Sequence, residues 1–220
     1  MSDALAQNYS KIKNSIPTDV QLVAVSKTHP ASEVEKIYQL GQRVFGENKV
    51  QEMVEKYDLL PKDIEWHLIG HLQTNKVKYI APFVSMIQSV DSEKLLQEID
   101  KHAAKNNRVI KVLLQVKIAE EDSKTGLEVS EAKELFLQYQ QNKYPNVEIC
   151  GLMGMATFTD DKQQVEREFT FLKRLFDQLS IQRKMELLSM GMSDDYLLAI
   201  KCGANSVRVG SAIFGQRNYF

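Results

Sequence analysis

The chain has little excess of either charge, no basic-then-apolar pattern in its first residues, no membrane-length apolar run and almost no cysteine, and each absence counts against a class of function. Its formal net charge is -1, from 28 basic and 29 acidic side chains, so no basic surplus is available for a polyanion-binding surface. Nucleic acid is therefore not an expected partner. No apolar run approaches the roughly 18 residues that a membrane span needs, and Met1 to Asn8 lacks a basic segment followed by an apolar one. A soluble, cytoplasmic protein is expected, with no membrane partner. The two cysteines, Cys150 and Cys202, have no C-x-x-C spacing, and they read as small buried residues of a reducing compartment rather than a disulfide or a thiolate metal site. The residues that follow Val25 contain no glycine-rich fingerprint, which counts against an open dinucleotide-binding sheet.

What is present is a regular alternation. The chain has 220 residues, 43% of them hydrophobic, enough for one full-sized core and short for two. No linker or composition shift divides it, so residues 1–220 are taken as one domain. Eight short β-type runs are expected at Gln21 to Val25, Arg43 to Phe45, Glu65 to Ile69, Val84 to Ser89, Val109 to Val116, Val147 to Met153, Glu186 to Met190 and Ser206 to Val209. Amphipathic stretches separate them. Ser92 to Lys105 aligns Leu95, Leu96, Ile99, His102 and Ala103, and Gln163 to Leu179 aligns Val165, Phe169, Leu172, Leu175, Phe176 and Leu179, both at helical period. Asp91 or Ser92, Ser130 and Thr159-Asp160 are the expected helix starts. An extra helix from Asp3 to Asn14 precedes the first strand and ends before Pro17. Strands alternating with helices imply right-handed crossovers and a parallel sheet, and eight such pairs make a compact (β/α)₈ barrel.

In such a barrel the chemistry sits at the strand exits. Leu22-Val23-Ala24-Val25-Ser26-Lys27-Thr28 ends an apolar strand in a lysine, the side chain whose amine condenses with aldehydes. Most lysines are only solvated charge, but this one is placed where a Schiff base would form. Strand seven runs into Ser189-Met190-Gly191-Met192-Ser193-Asp194-Asp195 and strand eight into Arg208-Val209-Gly210-Ser211. Those two loops are where barrels commonly hold phosphate, with glycine amides and hydroxyls at a helix start. Two ordinary capped helices would look similar, and Asp194-Asp195 fits a first-turn role better than a phosphate contact.

Other candidates are weaker singly. His67 and His71 would stand about 13 Å apart in an extended run, too far to share a metal. The glycine turn Phe45-Gly46-Glu47-Asn48 leaves Asn48 to cap the next helix or to meet a ligand, and capping is the commoner use. Gly151-Leu152-Met153-Gly154-Met155 echoes Ser189-Met190-Gly191-Met192; these methionines could wall a flat ring, although methionine is more often core filler. Asn75, Lys76 and Lys78 make a local basic face of the usual solvated kind.

Together with Trp66-His67-Leu68-Ile69-Gly70-His71-Leu72-Gln73-Thr74-Asn75-Lys76, these segments resemble, in order and over nearly the whole chain, the YggS/PROSC family of pyridoxal phosphate homeostasis proteins. The resemblance implies the barrel of the alanine racemase N-terminal domain, with pyridoxal 5'-phosphate (PLP) held as an aldimine of Lys27. It implies a phosphate site at Ser193, Gly210 and Ser211, and it places Asn48, Met155 and Arg208 near the ring. It also implies a role in keeping PLP supply balanced, without established turnover and with PLP-dependent apoenzymes as acceptors.

Two features bear on catalysis. If Arg208 faces the pyridine nitrogen, its charge disfavours protonation there and weakens the ring as an electron sink. The resemblance puts arginine at this place in alanine racemases as well, so reaction types are limited without racemisation being excluded. Full racemases of this type carry a β-domain after the barrel that contributes a proton-transfer group, and the residues up to Phe220 leave no room for one, so an open cofactor site and a monomer are expected. A small amino-acid racemase or decarboxylase is the enzyme alternative, and a barrel for a sugar or nucleotide phosphate the cofactor-free one.

Overall fold

The computed structural model describes residues 4–120 and 125–215. Eight parallel strands close into a barrel in the order of the chain, as the alternation predicts. The strands are β1 (Gln21–Val25), β2 (Val44–Glu47), β3 (Glu65–Leu68), β4 (Met86–Val90), β5 (Ile110–Gln115), β6 (Val147–Met153), β7 (Leu187–Ser189) and β8 (Ser206–Val209). The barrel closes where Gln21, Leu22, Val23 and Ala24 pair with Ser206, Val207, Arg208 and Val209. Around it run α2 (Ala31–Gln39), α3 (Val50–Leu59), the short α4 (Val77–Ile80), α5 (Glu93–Lys105), α6 (Val129–Gln140), α7 (Lys162–Gln182), α8 (Tyr196–Lys201) and α9 (Ser211–Phe214). The extra helix is α1 (Ala4–Ser15); the expected first residue, Asp3, lies outside the described residues.

Strand alternation sorts side chains into two apolar layers. Leu22, Ala24, Phe45, Trp66 and Leu68 face the helices in the large core, whereas Met86, Leu113, Cys150 and Met153 form a separate cluster. Val23, Val25 and Ile69 crowd the site of the missing Gly46 side chain, which puts these three on one lumen wall. Helix α5 shows the other half of the design. Ser92 caps it by accepting a hydrogen bond from the Leu95 amide, and Leu95, Leu96, Ile99 and Ala103 are buried. Burying each large side chain there contributes about 1.5 to 3 kcal/mol. His102, at the edge of that stripe, is only half-buried.

Several boundaries differ from those expected, for local reasons. Strand β2 runs through Gly46 to Glu47, because both residues pair onward with His67 and Leu68; the glycine does not end the strand. Strand β4 starts at Met86 rather than Val84. Helix α6 is capped by Glu128 in a capping box with Glu131, not by Ser130. Helix α7 is capped by Asp161, whose carboxylate accepts from the Gln163 and Gln164 amides, not by Thr159-Asp160. In both helices a carboxylate one or two residues away from the expected cap reaches the open amides.

One glycine is required by close approach. A Cβ on Gly151 in β6 would lie 1.7 Å from the Leu187 carbonyl oxygen of β7, so any side chain forces the two strands apart. Gly151→Ala is expected to cost about 3 kcal/mol in chemical denaturation, and an unchanged midpoint would contradict the tight β6–β7 contact.

Candidate functional site

The strand exits converge on one end of the barrel. Lys27 follows β1 by two residues, in step with lumen-facing Val23 and Val25, and is half-buried. Its neighbouring backbone is fixed at every step. The Ser26 amide donates to the Gly46 carbonyl at 3.1 Å, the Ser26 carbonyl accepts from Lys56 Nζ at 2.7 Å, and the Thr28 amide donates to Glu52 Oε2 at 2.8 Å. Thr28 adopts a positive φ of 67°, a conformation that a threonine holds only when its surroundings impose it.

Beneath this turn lies an ionic cluster that the sequence reading did not find. Glu47 is fully buried; its Oε1 accepts from Ser26 Oγ and from Lys56 Nζ, both at 2.6 Å. Burial pushes the Glu47 carboxyl above its ordinary value, and the Lys56 charge and the bonds from Lys56 and Ser26 pull it back. Its other oxygen, Oε2, is buried without a hydrogen-bond partner. The signal was present in α3, where Lys56 stands three residues after buried Met53, on the apolar face.

Asn48 does not cap the next helix. Lys49 occupies that position, without a side-chain cap, so the capping use of Asn48 falls away. Asn48 instead lies half-buried at the β2 exit, on the rim of a cavity of about 520 Å³ that Val50, His71, Gln73, Lys76 and Tyr79 also line. Lys76 and Lys78 are exposed beside the Tyr79 ring. Met153 and Met190 are core residues, whereas Met155 is half-buried beyond β6 and packs against the cluster of Met86, Leu113, Cys150 and Met153.

The loops after β7 and β8 meet through one hydroxyl. Ser193 Oγ accepts from the Gly210 amide at 3.2 Å and from the Ala212 amide at 3.3 Å. It therefore gathers the opening of α9 rather than capping its own helix. Ser211 is exposed at that opening. Gly191 turns the β7 exit with a φ of +94° and a backbone too close to Ala199 for any side chain. Asp195, not Ser193, holds this turn, accepting from the Met192 amide at 2.6 Å.

Arg208 is 3% exposed, in β8 beside the strand that leads to Lys27. Its Nη1 donates to Ser189 Oγ at 2.6 Å and its Nη2 to the Gly154 carbonyl at 3.0 Å. Burial lowers its pKa to about 10, with the negative charge of Asp195 acting the other way. A value of about 10 leaves the guanidinium a cation at neutral pH, and its two hydrogen-bond acceptors, Ser189 Oγ and the Gly154 carbonyl, are both neutral. Ser189 in turn donates to Gln88 Oε1 at 2.6 Å, and the Gln88 amide nitrogen meets His67 Nδ1 at 2.9 Å. His67 is buried, and desolvation drives its pKa down to about 3. It stands neutral inside the barrel, while His71 is exposed and paired with Asp91 at 2.9 Å. Among the described residues no group of three or more His, Cys, Asp or Glu side chains is arranged to hold a metal. Both cysteines are free thiols, and burial pushes that of Cys150 up to about 12.

Comparison with known proteins places this arrangement. The family model of the alanine racemase N-terminal domain matches residues 1–218. A pyridoxal phosphate homeostasis protein of Aquifex aeolicus is 43% identical, over 90% of this chain and 88% of its own. One of Mus musculus is 37% identical, over 100% of this chain and 85% of its own. PipY of Synechococcus elongatus, solved with PLP bound, superposes with a TM-score of 0.86 at 35% identity, covering 96% of this chain and 100% of that one. An alanine racemase of Clostridium difficile shares the fold alone, with a TM-score of 0.79 at 17% identity over 58% of its length. The chain belongs to the pyridoxal phosphate homeostasis protein family, built on the alanine racemase N-terminal domain.

Proposed function

We propose that this protein holds PLP at the strand exits and serves to store and hand on the cofactor rather than to turn over a substrate. The observation that carries the reading is the buried Arg208 cation, hydrogen-bonded to neutral oxygens alone and seated between the β1 strand that leads to Lys27 and the Ser193–Gly210 junction. Burying a cation is costly, the negative charge of Asp195 counters only part of the desolvation here, and an electron-rich aromatic nitrogen with a nearby phosphate would offset that cost. The residues fit the group. Lys27 supplies the amine, Ser193, Gly210 and Ser211 the phosphate contacts, Asn48 and Met155 the flanks of the ring, and Arg208 the donor to its nitrogen. When bound, PLP supplies an aldehyde that an amine can capture reversibly.

The same arginine limits chemistry. A fixed positive charge at the ring nitrogen handicaps carbanion formation, while exchange of one amine for another is left intact. Holding and transfer therefore suit this site better than racemisation or decarboxylation. PLP-dependent apoenzymes are the acceptors, and the protein acts as a monomer in the cytoplasm. No helix among the described residues is long and apolar enough to cross a membrane.

The test is titration of purified protein with PLP and with pyridoxal, followed by incubation with amino acids. A visible band at stoichiometric PLP, weaker retention of pyridoxal and no racemisation or decarboxylation are expected. Turnover that disappears in Lys27→Ala would establish the enzyme reading, and a protein that stays colourless would favour a sugar or nucleotide phosphate. Ser211→Ala is expected to weaken PLP binding by about 1 to 3 kcal/mol, the loss of one hydrogen bond to a charged group. Unchanged affinity would remove Ser211 from the phosphate site.

A further inference from the structure

The hydrogen bonds that begin at Arg208 have a fixed direction. A guanidinium only donates, so Ser189 Oγ must accept from it at 2.6 Å and spend its own hydrogen on Gln88 Oε1, also at 2.6 Å. That orients the amide, leaving Gln88 Nε2 to donate to His67 Nδ1 across 2.9 Å. His67 Nδ1 must then be an unprotonated acceptor, and the neutral ring carries its hydrogen on Nε2. Four residues from β8, β7, β4 and β3 thus span the lumen in one polarity. Each is buried: His67 is 2% exposed, Gln88 and Ser189 are at 0% and Arg208 at 3%.

We infer that Ser189, Gln88 and His67 are positioning residues that lock Arg208 in one orientation, so that its remaining N–H groups face the aromatic nitrogen of the bound cofactor. This rests on the PLP reading given above. The lock follows from the cost of reversing it. Turning the Gln88 amide over would leave the buried Ser189 hydroxyl hydrogen without its acceptor and would force the His67 hydrogen from Nε2 to Nδ1. Buried polar groups mispaired in this way are strongly disfavoured. A side chain held by such a chain needs no reordering when the ligand arrives, which favours binding. An apolar lumen would leave a long, flexible arginine to be ordered only on binding.

Two measurements test the inference. The first uses the unsubstituted protein without cofactor: nitrogen-15 NMR of the His67 ring is expected to show the Nε2–H form, with Nδ1 unprotonated. An Nδ1–H form would overturn the chain. The second is a double-substitution cycle, with Gln88→Met and Arg208→Lys singly and together, read as the rate of PLP release. Gln88→Met is expected to speed release about tenfold when Arg208 is present, to shift the pH midpoint of the visible band, and to change release by less than about twofold in the Arg208→Lys background. Equal effects of Gln88→Met in both backgrounds would show that Gln88 only packs, and would overturn the positioning role. Failure of the unsubstituted protein to retain PLP would refute the ligand assignment instead, and with it the aim of the chain, while the NMR result would still report its polarity.

Discussion

Lys27→Ala is expected to abolish the visible band of the PLP-treated protein while leaving the thermal unfolding midpoint within a few degrees of the parent. Lys27 lies beyond the last residue of β1 and is only half-buried, so it contributes little to either apolar layer. Its amine, by contrast, is the group that would capture the aldehyde, and alanine has no substitute for it. The Glu47–Lys56 cluster and the Glu52 contact hold the backbone at Ser26 and Thr28, so the turn should survive the substitution. Absorbance and circular dichroism on the same sample separate the two effects. A full visible band in the variant would assign the cofactor amine to another lysine. Loss of both band and fold would show that Lys27 is part of the core.

The largest stability effect is expected at Lys56→Met. Removing one partner of a buried ion pair leaves the other charge uncompensated, at about 3 to 5 kcal/mol, and Glu47 is the group left behind. The pH dependence has a definite sign. Burial already holds the folded Glu47 carboxyl above its ordinary value, and a carboxyl whose pKa is higher folded than unfolded costs stability above the folded value. That cost is relieved as the pH falls toward the unfolded value. Without Lys56 the folded value rises further, so the deficit should be greatest at neutral pH and shrink as the pH is lowered toward the ordinary carboxyl range. Urea denaturation of parent and variant at pH 7 and pH 5 reads this directly. A deficit of the same size at both would mean that Lys56 acts through its methylene packing and not its charge. The variant should also retain PLP less well, since Lys56 holds the Ser26 carbonyl beside Lys27.

The barrel was legible because its signals are local and repeated. Apolar runs such as Leu22 to Val25 alternate with helical stripes such as Leu95, Leu96 and Ile99, and the closed sheet follows their order. Strand ends were less legible, since pairing across the sheet carried β2 past the glycine at which a turn was expected. That Lys27, Asn48, Met155, Ser193, Gly210 and Ser211 lie beyond strand ends, and Arg208 within β8, could also be read from sequence. What joins them could not. The bonds from Ser193 to the Gly210 and Ala212 amides link residues 17 and 19 positions apart, and the Ser189–Gln88 bond spans 101. Such contacts leave no trace in periodicity. His67, dismissed as a metal ligand, was read only against His71, although its lumen-facing place in β3 pairs it with Gln88.

Borohydride reduction of the PLP-treated protein, followed by peptide mass mapping, tests the central claim most directly. One stable adduct confined to the peptide that contains Lys27 is expected. No adduct, or many weak adducts spread over surface lysines, would contradict the assignment of Lys27 as the residue that holds the cofactor.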